Sequence, residues 1–123
     1  MAKPTQSELK ILQILWDKGP SSVRDVHEKI SEDKDAGYTT TLKLMQIMAE
    51  KGHAARDTSS RTHIYTASVS ENDAKTDLLS SFISSTYKGS AKSLVLQALG
   101  NNATSQEDLD EIKKLISSIE KSK

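Results

Sequence analysis

The 123-residue sequence contains no cysteine, which removes disulfides, thiolate metal sites and cysteine nucleophiles, and fits a reducing compartment. No run of 18 apolar residues occurs, and no apolar stretch follows Met1-Ala2-Lys3-Pro4-Thr5-Gln6. Neither a membrane span nor a secretory signal is expected, so the chain is placed in the cytoplasm without direct membrane insertion. The five glycines are scattered, four of them after helices or at turns, and no Gly-rich phosphate cradle results. His27, His53 and His63 are the only histidines, none at ligand spacing from another, so no metal site is expected and a solvent-facing or phosphate-adjacent state is. A G-x-S-x-G elbow is missing, and the serines stand before helices as caps. Carboxylate pairs such as Asp33 with Asp35 and Glu107 with Asp108 fall in loops or first helical turns, where solvation and the helix dipole account for them. These absences leave no catalytic constellation and no cofactor.

Net charge is absent too: 17 Lys and Arg balance 17 Asp and Glu. Between Ala36 and Ala67, however, four cations (Lys43, Lys51, Arg56, Arg61) face two anions (Glu50, Asp57). The basic patch is local, and two copies of it would strengthen phosphate binding.

The stretch that carries this patch organises the chain. Thr41, Leu44, Met45 and Met48 recur at the spacing of one apolar helix face, which turns Thr39, Thr40, Lys43 and Gln46 elsewhere. Lys51-Gly52 supplies a closing cation and a residue suited to a left-handed cap. The segments His53 to Asp57 and Arg61 to Ala67 then read as extended runs joined by Thr58-Ser59-Ser60, a two-stranded hairpin with a polar tip. A helix with an uncharged polar outer face beside an Arg-bearing hairpin is the arrangement of a winged helix-turn-helix. The expected DNA contacts are Thr39, Thr40, Lys43, Gln46 and Lys51 from the helix and Arg56, Arg61 and His63 from the wing.

Ahead of that stretch, Thr5 and Glu8 form a capping-box pattern for a first helix whose apolar positions are Leu9, Leu12, Ile14, Leu15 and Trp16. Trp16 is expected as a core anchor. Ser21-Ser22 offers a cap for a second helix, Val23 to Ile30, with Val23, Val26 and Ile30 inward. A polar connection, Ser31 to Gly37, follows. Behind the hairpin come three short amphipathic helices: Glu71 to Tyr87, a second capped by Ser90 and ended by Gly100, and a third started by Ser105. They carry Leu78, Leu79, Phe82, Leu94, Leu99, Ile112 and Ile116, more apolar surface than three short helices can hide internally. The expected architecture is mainly α with a small β-hairpin wing: a winged-helix DNA-binding domain at 1–69 and a helical dimerisation domain at 70–123. A different class of function stays open, a winged-helix protein-interaction module without specific DNA binding, which zero net charge favours.

The segments T-Q-S-E-L-K-I-L-Q-I-L-W, S-S-V-R-D-V-H-E-K-I, G-Y-T-T-T-L-K-L-M-Q-I-M-A-E-K-G, R-T-H-I-Y-T-A and Y-K-G-S-A-K-S-L-V-L resemble the penicillinase-repressor (BlaI/MecI/CopY) family over nearly the whole chain. The resemblance implies a homodimeric bacterial transcriptional repressor on a palindromic double-stranded DNA operator. It also implies release through a membrane sensor or protease system in β-lactam-responsive members, or through a C-terminal Cys cluster in copper-responsive ones. The absence of cysteine excludes the copper branch. Gln97-Ala98 stands where the family's Asn-Phe cleavage pair is expected, and Thr39-Thr40 opens the third helix without a proline, so both switch and operator are expected to differ from those relatives.

Overall fold

The structure is a computed structural model that describes residues 3–32 and 37–123. The Asp33 and Asp35 carboxylates of the expected connection lie outside the described residues. The chain divides into two compact units, the first ending at Leu78 and the second running from Leu79 to Lys123.

The first unit begins with α1 (Gln6–Lys18). Thr5 caps it reciprocally: its hydroxyl accepts from the Glu8 N–H, and its own N–H donates to Glu8 Oε1 at 2.9 Å. Gly19, at φ 84°, ends the helix in a conformation that a side chain would strain. Ser22 and Asp25 repeat the capping box at the start of α2 (Val23–Ser31). Then α3 (Tyr38–Lys51) ends at Gly52 in the left-handed region. The core gathers Ile11, Leu12 and Leu15 of α1, Val23 and Val26 of α2, Met45 and Met48 of α3, and Ala54 and Tyr65 of the hairpin. Ile11, passed over in the apolar pattern of α1, is wholly buried. Trp16 is half-buried at the edge of this core, and its indole Nε1 donates to the Val69 carbonyl at 2.9 Å, tying α1 to the exit of the hairpin.

The hairpin pairs β1 (Ala54–Asp57) with β2 (Ile64–Ala67) antiparallel, Arg56 opposite Tyr65 and Asp57 opposite Ile64. The second strand is shorter than the sequence suggests, because Arg61, Thr62 and His63 belong to the connecting loop. Ser21, between α1 and α2, adds a single bridge to β2, exchanging both backbone hydrogen bonds with Tyr65. The wing is thereby fastened to the helices at its base.

The helix α4 (Glu71–Thr86) starts at Ser70, whose hydroxyl accepts from the Asp73 N–H, and its early residue Ala74 is buried. The second unit comprises the rest of α4, α5 (Ala91–Asn101) and α6 (Gln106–Ser122). Lys88 and Gly89, both at positive φ, break the chain before α5. Ser90 and Ser105 cap α5 and α6 as expected. Gly100, expected to end α5, lies inside that helix, which runs one residue further. No helix of the described residues is long and apolar enough to cross a membrane.

Candidate nucleic-acid interface

Thr41, Met45 and Met48 anchor α3 in the core, with Leu44 half-buried beside them. That anchoring fixes which residues face outward: Tyr38, Thr39, Thr40, Lys43 and Gln46 are all exposed. A cleft of about 520 Å³ opens between α3, the start of α2 and the wing. Tyr38, Leu42 and Gln46 line one wall, Arg61, Thr62 and His63 another, and Arg24 with Val23 a third; Tyr65 also reaches it. The chain order thus places a helix face, a cationic loop and a second helix start around one opening.

Several expected contacts are brought together here, and others are not. Gln46, Arg61 and His63 share the cleft, whereas Thr39, Thr40 and Lys43 are exposed on α3 without lining it. Arg56 is exposed and opposite Tyr65 in the ladder, so it projects from the same face of the hairpin as Tyr65. Lys51 is committed elsewhere. Its Nζ lies 3.1 Å from both carboxylate oxygens of Glu8, whose side chain is 2% exposed. Burial pushes the Glu8 carboxyl up, but the Thr5 N–H and the hydrogen bonds and charge of Lys51 outweigh it and hold the group below the ordinary range. A cation neutralising a buried carboxylate is a poor phosphate ligand.

The wing loop is shaped by Asp57. Its carboxylate accepts from the Ser59 N–H at 2.9 Å, and that bond, the Ser59 side chain and the nearby His63 hold its pKa low. Ser60 Oγ donates to the Thr62 carbonyl at 2.9 Å. Arg61 is therefore carried by a turn with its own internal bonds.

Arg24 and Tyr38 are two cleft residues outside the contacts expected from the sequence. A signal existed for Arg24: it follows Val23 and precedes Val26, both core positions, so it must point outward from the first turn of α2. Tyr38 stands edge-on to His27 with centroids 5.4 Å apart, while His27 Nδ1 bonds the Thr41 hydroxyl at 3.0 Å. These contacts tie the start of α3 to α2, and sequence spacing alone does not reveal them. His53 departs from expectation more sharply: it is neither solvent-facing nor near the cleft, being 2% exposed in the first unit.

Most of the expected dimerisation residues are uncovered in the single chain: Leu79, Phe82, Leu99 and Ile116 are exposed, and Leu78, Leu94 and Ile112 half-buried. Gln97 and Ala98 lie within α5, and the Gln97 side chain accepts from the Tyr87 hydroxyl at 2.9 Å. Among the described residues no group of three or more His, Cys, Asp or Glu could hold a metal ion.

Three helices, a hairpin fastened beside the third and a cleft between them define a winged helix-turn-helix protein. The family model of the penicillinase repressor matches residues 4–118, and the chain belongs to that family. The methicillin resistance regulatory protein MecI of Staphylococcus aureus (strain N315) is 28% identical over 112 residues, covering 91% of each chain. The penicillinase repressor of Bacillus licheniformis is 22% identical over 112 residues, 91% of this chain and 88% of its own. The transcriptional regulator BlaI of Mycobacterium tuberculosis (strain CDC 1551 / Oshkosh) reaches 35% identity over a shorter stretch, 53% of this chain and 50% of that protein. The family is one of transcriptional repressors, so the protein is a regulator and not an enzyme.

Proposed function

We propose that the protein represses transcription as a cytoplasmic homodimer that reads a two-fold symmetric DNA operator with α3 and holds the flanking phosphates with the wing loop. The observation that carries this reading is the cleft in which Gln46 of α3 faces Arg61 and His63 of the wing and Arg24 of α2. Gln46 can pair with an adenine edge and Lys43 with guanine or phosphate, while Thr39 and Thr40 offer hydroxyls to either. Arg24, Arg56 and Arg61 supply sequence-independent phosphate contacts, and Lys51 is left out because Glu8 holds it. Residues 1–69 would form the DNA-binding domain and 70–123 the dimerisation domain, with the exposed apolar positions of α4, α5 and α6 facing the second copy. A membrane sensor or protease system, as in the resemblance, is the proposed route of release. Gln97-Ala98 sits in helical backbone, which a protease could enter only after α5 opens.

Binding isotherms on the operator and on a scrambled duplex test the reading. Gln46→Ala should lose about 1 to 3 kcal/mol on the operator and much less on scrambled DNA, because a lost base contact removes discrimination. Equal losses on both would remove Gln46 as a base contact, and no salt-dependent DNA binding at all would point instead to a protein-interaction module.

A further inference from the structure

Thr41 is 1% exposed and carries a hydroxyl that must find a partner inside the protein. A threonine in a helix has a local acceptor at hand, the carbonyl three or four residues back, and the bond it makes there bends the helix. For Thr41 those carbonyls belong to Tyr38 and Gly37, at the start of α3. The hydroxyl is directed elsewhere: its oxygen lies 3.0 Å from Nδ1 of His27, a half-buried residue of α2.

The other ring nitrogen fixes the sense of that bond. Ser31 Oγ donates its single proton to the His27 carbonyl at 2.9 Å, so toward Nε2, 3.3 Å away, its oxygen is the acceptor. Nε2 thus carries the proton, and Nδ1 of the neutral ring accepts from the Thr41 hydroxyl. The same ring meets Tyr38 edge-on, so its two contacts on α3 fall one turn apart. We propose that His27 is a positioning residue for DNA recognition: by accepting the Thr41 hydroxyl it keeps that group off the α3 backbone and holds the first turn of the helix straight. Without the acceptor, the buried hydroxyl turns back onto its own helix, because leaving it unpaired is unfavourable. The exposed Tyr38, Thr39 and Thr40 then shift relative to Gln46, and contacts to bases suffer while phosphate contacts from the wing do not. This inference rests on α3 being the DNA-facing helix, and adds a residue of α2 that governs sequence discrimination without touching DNA.

The test uses the full chain and a duplex that the wild type selects from a random-sequence pool, compared with a scrambled copy. His27→Phe keeps a ring against Tyr38 and removes the acceptor. It should weaken the selected duplex about tenfold, as the loss of one base contact does, and leave the scrambled one within about twofold. His27→Asn puts Oδ1 where Nδ1 stood, without the ring, and should bind both duplexes as the wild type does. Thr41→Val removes the hydroxyl itself, so it should keep discrimination, and added to His27→Phe it should restore it. A simple tie between α2 and α3 predicts otherwise: Thr41→Val would lose as much as His27→Phe, with no recovery in the double variant. That result, an equal loss in His27→Asn, or wild-type discrimination in His27→Phe would overturn the proposal while α3 keeps its role. Selection of no duplex by the wild type would overturn the reading of α3 and this inference with it. Circular dichroism checks that each variant is folded. Should His27→Phe alone fail to fold, the double variant decides: recovery of folding and discrimination supports the proposal, and failure of either overturns it.

Discussion

Lys51 closes the helix that faces the cleft, and packing decides what its charge does. Glu8 reaches the same place from the start of α1, buried, accepting from Thr5 and from Lys51 together. Removing the lysine would leave a buried carboxylate with only the Thr5 N–H, whereas removing the carboxylate leaves a lysine one-third exposed that water can serve. Lys51→Met should therefore cost about 3 kcal/mol, the low end of what breaking a buried pair costs, and Glu8→Gln less. Chemical denaturation measures both. The pH dependence follows from the direction of the Glu8 shift: the folded pKa lies below the ordinary value, so the ionised carboxylate contributes stability above that value. The contribution is lost as pH falls through the lowered folded pKa. In Lys51→Met burial acts with less opposition, and the acid limb should move to higher pH. If the variant instead keeps wild-type stability but binds DNA with a shallower salt dependence, Lys51 belongs to the interface after all.

Helix starts are legible in the sequence because their signals are local: Thr5 with Glu8, Ser22 with Asp25, Ser90 and Ser105 each bond a backbone N–H three residues on. The face of α3 was legible for the same reason, since Thr41, Met45 and Met48 repeat at helical spacing and are buried. What escaped depends on elements distant in sequence. The bridge from Ser21 to Tyr65, the pairing of Lys51 with Glu8 and the burial of His53 are all made by segments far apart in the chain. Even the length of β2 depends on the Asp57–Ser59 turn, which takes Arg61 out of the strand and into the loop. The start of α2 carries a prediction of its own, because Arg24 lines the cleft alongside Arg61. If each arginine neutralises one phosphate per subunit of a dimer, Arg24→Ala or Arg61→Ala removes two counterion releases, and the log-log salt slope becomes shallower by roughly 1.8. Both should weaken operator and scrambled DNA alike. An unchanged slope in Arg24→Ala would confine the phosphate contacts to the wing.

At the scale of the molecule the open question is what covers α4, α5 and α6, whose Leu79, Phe82, Val95, Leu96, Leu115, Ile116 and Ile119 are exposed in the single chain. Helices this short and this uncovered do not make a stable unit alone. Ile116 distinguishes a monomer from a dimer cleanly, because it is 50% exposed while Leu94, half-buried in its own unit, would damage that unit as well as any interface. In a monomer Ile116→Asp should be nearly silent, within about 0.5 kcal/mol, as surface changes are. In a dimer that buries Ile116 it places a charge among apolar groups and should cost several kcal/mol of association. Light scattering should then show a dimer for the wild type and a monomer for the variant, with α1 to α3 still folded by circular dichroism. DNA binding follows the same logic, since two linked readers require half-sites about one helical turn apart or a multiple of it. Inserting about half a turn, ~5 bp, between half-sites should weaken the wild type strongly and leave Ile116→Asp unaffected, because a lone subunit has no partner to keep in register. If the insertion weakens both proteins equally, the loss comes from contacts within one subunit, and the symmetric two-reader arrangement is wrong.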